Sequence, residues 1–114
     1  GGVSENLNGF GIPAGCCSDG PSGMRLDCGT KAFSLPNGTM IASSFNKELT
    51  SELFAFMGLE MAANKVDCLL GPGMNIHRHP LNGRNFEYFS EDPFLTGKMA
   101  SAELKGMAGA GVLR

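Results

Sequence analysis

Hydrophobic residues along this chain fall into short runs, and most of its glycines sit at the ends of those runs, where turns are needed. Residues 1–9 are polar and glycine-rich, which predicts a loop or a frayed start. Phe10-Gly11-Ile12-Pro13-Ala14-Gly15-Cys16-Cys17 then reads as a short buried strand, ending in the turn Ser18-Asp19-Gly20-Pro21. Ser22 to Gly38 reads as a linker, and Thr39-Met40-Ile41-Ala42-Ser43-Ser44 as a second strand candidate. At Asn46 the period changes. Asn46 suits a helix N-cap, and Leu49, Leu53, Phe56, Met57 and Met61 fall on one face, predicting a helix from Lys47 to Asn64 with a core-facing stripe. Val66-Asp67-Cys68-Leu69-Leu70 returns to strand and stops at Gly71-Pro72-Gly73. Asp92 before Pro93 supplies an N-cap and a proline at the first helical position. That helix runs to about Ala108, with Leu95, Met99, Ala100, Leu104 and Met107 as its apolar positions. Gly109 to Arg114 looks like the start of another strand.

The order strand, strand, helix, strand, helix is that of an α/β fold with parallel strands. A parallel sheet left open at this point exposes an unpaired edge and an uncovered face. The expectation is therefore an arc of a larger α/β structure.

Composition narrows the function. At 114 residues with 42% hydrophobic content, the chain suits a small globular domain or part of one, not a disordered segment. A net charge of −2 with no basic block leaves no electrostatic footprint for nucleic acid. No apolar run approaches a membrane span and no signal peptide opens the chain, which leads to the expectation of a cytoplasmic protein with no membrane partner. Cys16, Cys17, Cys28 and Cys68 form no CxxC pair and are expected to be reduced, mostly buried thiols. Their spacing with His77 and His79 matches no usual zinc pattern. Gly9, Gly11 and Gly15 lack the flanking strand and helix of a phosphate cradle.

Chemistry concentrates in the run from Leu69 to Thr96, where two histidines, two arginines and three carboxylates crowd into a loop before the helix at Pro93. Asp19 follows the first strand and Arg84 lies in the loop after the last, so in a parallel layout both sit at carboxyl ends of strands. A carboxylate accepts from two neighbouring hydroxyls and a guanidinium donates in a fixed fork, so the pair suits a hydroxyl-rich ligand. Each residue also has a structural role open to it. Asp19 suits a turn former, and Arg25 suits an ion pair with Asp27 or Asp19. Arg84 suits an anchor for Glu87 or Glu91. Glu87 suits a partner for Arg78 or Arg84, Glu91 a first-turn charge, and Asp92 a helix cap. His77 and His79 suit either general bases or structural hydrogen bonds.

Three segments carry a resemblance. They are Ser18-Asp19-Gly20-Pro21-Ser22-Gly23-Met24-Arg25, then Ala42-Ser43-Ser44-Phe45-Asn46, then Gly71-Pro72-Gly73-Met74-Asn75-Ile76-His77-Arg78 through Gly83-Arg84-Asn85-Phe86-Glu87-Tyr88-Phe89-Ser90-Glu91-Asp92-Pro93. In this order they resemble the N-terminal domain of glycoside hydrolase family 3, in its β-glucosidase branch. The resemblance implies part of a (β/α)8 TIM-type barrel, its first three to four β/α units, with residues 1–114 a truncated portion of that domain. It implies retaining hydrolysis of terminal, non-reducing β-D-glucosyl residues of a glucoside or oligosaccharide, with no metal or organic cofactor. Asp19 and Arg84 would hold the glycon in subsite −1, with Arg25 nearby. The family's Lys-His-Phe segment, its nucleophile Asp and its acid/base Glu are expected beyond Arg114, so the 114 residues alone are expected to be inactive. The same fold acting on β-xylosides or N-acetylglucosaminides, and a non-catalytic carbohydrate-binding remnant, stay open at this point, as does the oligomeric state.

Overall fold

The computed structural model describes residues 2–26 and 29–110. The chain forms β1 (Gly2–Val3), β2 (Gly15–Asp19), α1 (Gly38–Ser43), α2 (Lys47–Ala63), β3 (Cys68–Leu70) and α3 (Pro93–Ala108). β2 and β3 pair in parallel with Cys17 opposite Cys68, Ser18 opposite Leu69 and Asp19 opposite Leu70. The architecture is α/β, as the pattern predicts, but the sheet is mixed. β1 pairs antiparallel with β2, Gly2 facing Cys16 and Val3 facing Gly15.

Two predicted strands are corrected. The first begins at Gly15 and not at Phe10, because Glu5–Phe10 winds into a 3-10 helix closed by Gly11 at φ 76°. Phe10 is 82% exposed, and Pro13 has no N–H to give to a ladder. The run Thr39–Ser44 is helical. It is too short for periodicity to separate strand from helix, and the decision lies upstream. The Asn37 side chain accepts from the Met40 N–H at 2.9 Å and starts α1, which buries Ile41 and Ala42 side by side.

The long helices follow the pattern more closely. Asn46 Oδ1 accepts from Leu49 N at 2.9 Å, and Asp92 takes the N–H groups of Phe94 and Leu95. Of the stripe expected on α2, Met57 and Met61 are buried, but Leu49 and Phe56 lie largely in the open. The buried face is turned toward Thr50 and Phe54 instead. On α3, Met99, Ala100 and Met107 are buried as expected. The two helices pack closely because Gly106 has no side chain: a Cβ there would stand 2.2 Å from the Ser51 carbonyl oxygen.

The main core joins Met24, Ile41, Phe54, Met57, Met61, Val66, Leu69 and Met107, between the sheet and α2–α3. Phe54 and Met61 are fully enclosed, each burial stabilising by roughly 1.5–3 kcal/mol. Ala42, Phe89, Met99 and Ala100 form a second cluster beneath the loop that precedes α3. Glu103 on α3 is 1% exposed, and its Oε2 has no hydrogen-bond partner among the described residues. Burial without a partner pushes its carboxyl up to about 8.

Sheet alternation sets the functional geometry. Ser18 and Leu69 point into the helical layer and are buried, so Cys17, Asp19, Cys68 and Leu70 belong to the opposite face. That face is open among the described residues, with Leu70 57% exposed. Expected burial of the cysteines is also corrected: Cys16 is exposed, and Cys17 and Cys68 are intermediate. Cys28, Asp27 and the suggested strand beyond Ala110 lie outside the described residues. Among the described residues no helix is long and apolar enough to cross a membrane.

Candidate ligand site at the strand ends

Because β2 and β3 run in parallel, the segments following Asp19 and Leu70 leave the same edge of the sheet. After Asp19 the chain makes a tight turn that returns at Arg25, whose N–H donates to the Asp19 carbonyl at 2.8 Å. The Gly20 N–H donates to Asp19 Oδ1 at 2.9 Å, and the buried Ser18 hydroxyl donates to the Arg25 carbonyl at 3.1 Å. Gly20 adopts φ +141°, and a Cβ there would lie 1.9 Å from the Gly23 carbonyl oxygen. The Asp19 carboxylate therefore stands at the strand end with one oxygen engaged by its own turn and the residue exposed to solvent.

After Leu70 the chain passes a cis Gly71–Pro72 bond into residues 71–92. This long loop is held by its own polar groups. His77 donates its N–H to the Ser90 carbonyl at 3.1 Å, and its Nε2 lies 2.8 Å from the Asn85 carbonyl. Asn85 Nδ2 donates to the His79 carbonyl at 2.8 Å, while His79 Nδ1 accepts from the Leu81 N–H at 3.2 Å. Both histidines thus serve the loop's own hydrogen bonding. From α1, the Thr39 hydroxyl reaches the Tyr88 carbonyl at 2.8 Å and the Asn85 carbonyl at 3.2 Å. Thr39 was hidden by the strand expectation; the signal that could have exposed it is Asn37, a cap residue with a glycine and a hydroxyl following.

Arg84 projects from this braced turn. Its Nε donates to Glu87 Oε1, one of the two structural partners, Glu87 or Glu91, that the sequence leaves open. The guanidinium side chain is 70% exposed and the carboxylate side chain only 9%. Glu87 raises the Arg84 pKa further by hydrogen bond and charge, Tyr88 and Asp19 add to this, and desolvation opposes it. Of these charges Asp19, sixty-five positions earlier in the chain, contributes least. Arg25 is exposed beside Asp19, joined to it through the backbone. Glu91 is exposed, and Asp92 is occupied in capping α3. A cleft of about 750 Å³ runs along the loop, lined by Met74, Asn75, Ile76, Arg78, His79 and Asn82, among others. Asp19 and Arg84 are outside its lining.

The parallel β2–β3 pair, with Asp19 at the end of β2 and Arg84 in the long loop that leaves β3, defines an α/β protein with charged side chains on the loops at the carboxyl end of its strands. Comparison with known sequences sharpens this. The sequence model of the glycosyl hydrolase family 3 N-terminal domain matches residues 3–114, and the chain belongs to that family. It is 79% identical over 112 residues to a β-glucosidase of Ruminococcus albus, matching 98% of this chain and 12% of that protein. Among solved structures, a β-glucosidase from Paenibacillus barengoltzii superposes with a TM-score of 0.92 at 57% identity, over 98% of this chain and 12% of that one. β-Glucosidase 3B from Thermotoga neapolitana in complex with glucose gives 0.90 at 43% identity, over 98% and 16%. The chain therefore spans only a small part of the length of the relatives it matches.

Proposed function

We propose that this chain supplies part of the glycon-binding face of a retaining β-glucosidase acting on terminal, non-reducing β-D-glucosyl residues. In this reading the 114 residues are a partial (β/α)8 barrel within the family 3 N-terminal domain, and the open face bearing Asp19 looks into the barrel. What supports it is the position of Asp19 at the end of β2 and of Arg84 in the loop that leaves β3 at the same end of the parallel pair, in a chain 43% identical to a protein whose structure was solved with glucose. Asp19 takes the hydroxyls remote from the anomeric carbon, Arg84 donates to their oxygens, and Arg25 flanks the acid. Neither catalytic carboxylate belongs to these residues: a nucleophilic Asp forms the glycosyl-enzyme and a Glu protonates the leaving group, then activates water.

Charge-assisted hydrogen bonds from a site that excludes water discriminate strongly, since losing one partner leaves the other unpaired. In the intact protein, Asp19→Ala is expected to lower kcat/KM for an aryl β-glucoside by about 1,000-fold and Arg84→Ala by about 100-fold. Both variants staying within twofold of the parent would sink the assignment. A panel of β-xyloside and N-acetylglucosaminide decides the sugar. No turnover of any of them by the intact protein would favour a non-catalytic carbohydrate-binding role.

A further inference from the structure

The Asn37 side chain already caps α1, so the next hydroxyl in the chain, that of Thr39, is not needed for capping. It reaches the long loop instead. The Thr39 hydroxyl oxygen lies 2.8 Å from the Tyr88 carbonyl oxygen, 3.2 Å from that of Asn85 and 3.4 Å from that of Phe86. A threonine has one proton to donate, so the three carbonyls share it, and the Tyr88 oxygen makes the shortest bond. Without that proton, three carbonyl dipoles would crowd one point and repel one another. His77 Nε2 also faces the Asn85 carbonyl, at 2.8 Å, so Asn85 depends on Thr39 less than Tyr88 does.

Two glycines admit the same turn. A Cβ at Gly38, in the first turn of α1, would stand 2.6 Å from the Glu87 carbonyl oxygen, and a Cβ at Gly73, just past β3, would stand 2.9 Å from it. Neither is among the glycines with positive φ, so the missing side chain serves close approach and not backbone freedom. The Glu87 backbone is thus seated against α1 and the exit of β3, while its buried side chain takes the Arg84 Nε. All of these contacts lie within residues 37–88, and none depends on a solvent-exposed surface.

We propose that Thr39 is a positioning residue of the intact glycosidase: its hydroxyl closes the turn 85–88 onto α1, which fixes the Glu87 carboxylate and, through it, the direction of Arg84. Thr39 does not itself touch the sugar. The effect on catalysis rests on the glycon-binding role proposed for Arg84, whereas the closure of the turn does not. The hydroxyl carries the role and the methyl group does not, which two substitutions separate. Valine keeps the branched shape and loses the donor; serine keeps the donor and loses the methyl.

Amide hydrogen exchange in the intact protein reads the turn without substrate. Exchange in the peptide spanning residues 85–88 is expected to quicken about fivefold in Thr39→Val and to stay within about twofold of the parent in Thr39→Ser. Unchanged exchange in Thr39→Val overturns the closure, whatever the sugar chemistry. Saturation kinetics on an aryl β-glucoside then read the route through Arg84 as a double-mutant cycle. Thr39→Val is expected to lower kcat/KM about tenfold, and Thr39→Ser to stay within about twofold of the parent. Added to Arg84→Ala, Thr39→Val should cost less than about twofold more, because the side chain it aims is already gone. The full loss repeated in the Arg84→Ala background, or a serine variant as poor as the valine one, overturns the positioning role. If Arg84→Ala alone stays near the parent, the glycon reading of Arg84 fails and the effect on catalysis falls with it, while the exchange result still decides the closure. Should Thr39→Val not fold, Thr39→Ala, which removes the hydroxyl and favours the helix, takes its place in both measurements.

Discussion

The turn from Asp19 to Arg25 and the loop from Gly71 to Asp92 leave the same edge of the sheet, yet they hold their charged residues by different means. Asp19 is the last residue of β2, and backbone fixes it: its carbonyl takes the Arg25 N–H and its carboxylate takes the Gly20 N–H. Arg84 is far from any strand, and side chains fix it: Glu87 on the guanidinium, Thr39 and His77 on the surrounding carbonyls. A short turn can aim a side chain through its dihedral angles alone, provided glycine is present where no Cβ fits. A twenty-residue excursion cannot, and needs hydrogen bonds from a neighbouring element to settle on one conformation. The two halves of the site should therefore fail in different ways.

The largest expected effect lies beneath both regions and should not distinguish them. Between about 4.5 and about 8 the folded protein retains on Glu103 a proton that the unfolded chain has released. Stability thus falls as pH rises through that window, by up to about 1.4 kcal/mol per pH unit. Glu103→Gln cannot ionise and should lose this slope, melting higher than the parent at pH 8. Thermal melts of both proteins from pH 5 to pH 8 check it; parallel profiles would mean that the carboxyl ionises without penalty. Next in size is a pair of glycine substitutions that does separate the regions. Gly20→Ala forces a Cβ against the Gly23 carbonyl at a φ that side chains rarely adopt, and is expected to cost about 3 kcal/mol or more. Gly83→Ala, in the long loop beside Arg84, meets nothing within 4 Å and should stay within about 0.5 kcal/mol. Denaturant melts that show equal losses would erase the distinction between backbone-held and side-chain-held halves.

The same contrast explains what the sequence revealed. α2 and α3 were legible because their caps, Asn46 and Asp92, and their long apolar period are local signals, and both caps hydrogen-bond as the pattern implies. Asp19 was legible as a strand-end acid for the same reason. The Arg84–Glu87 pair was readable as one choice among several, since i,i+3 proximity allowed it but Glu91 and Arg78 competed. What failed depended on distant contacts. Residues 38–43 form a helix under the loop, and its Thr39 hydroxyl answers carbonyls more than forty positions away. Leu49 and Phe56 were assigned to the core by period alone, but α2 buries Thr50 and Phe54 instead and meets α3 where Gly106 stands against the Ser51 carbonyl. The pairing of Cys17 with Cys68 required the register of two strands fifty residues apart, which no local pattern encodes.

The smallest effect on folding should have a clear effect on function, and it probes the side-chain-held half directly. In Glu87→Gln the ion pair with Arg84 is lost, but Arg84 is mostly in solvent, so little folding energy is at stake. The buried end of the pair gains as well, because a neutral amide is easier to enclose than a carboxylate. Melting should barely move. The guanidinium, however, loses the acceptor that fixes its direction, and a neutral amide oxygen holds it with about half the strength. On the glycon-binding role proposed for Arg84, substrate would then meet an arginine that must be ordered on binding, and kcat/KM for an aryl β-glucoside is expected to fall about tenfold in the intact protein. Saturation kinetics beside a thermal melt read both quantities from one preparation. A tenfold loss with an unchanged melt assigns Glu87 to the aiming of Arg84. A lowered melt with unchanged kinetics would instead make Glu87 a brace for the loop, and would move Arg84 to the same backbone-determined footing as Asp19.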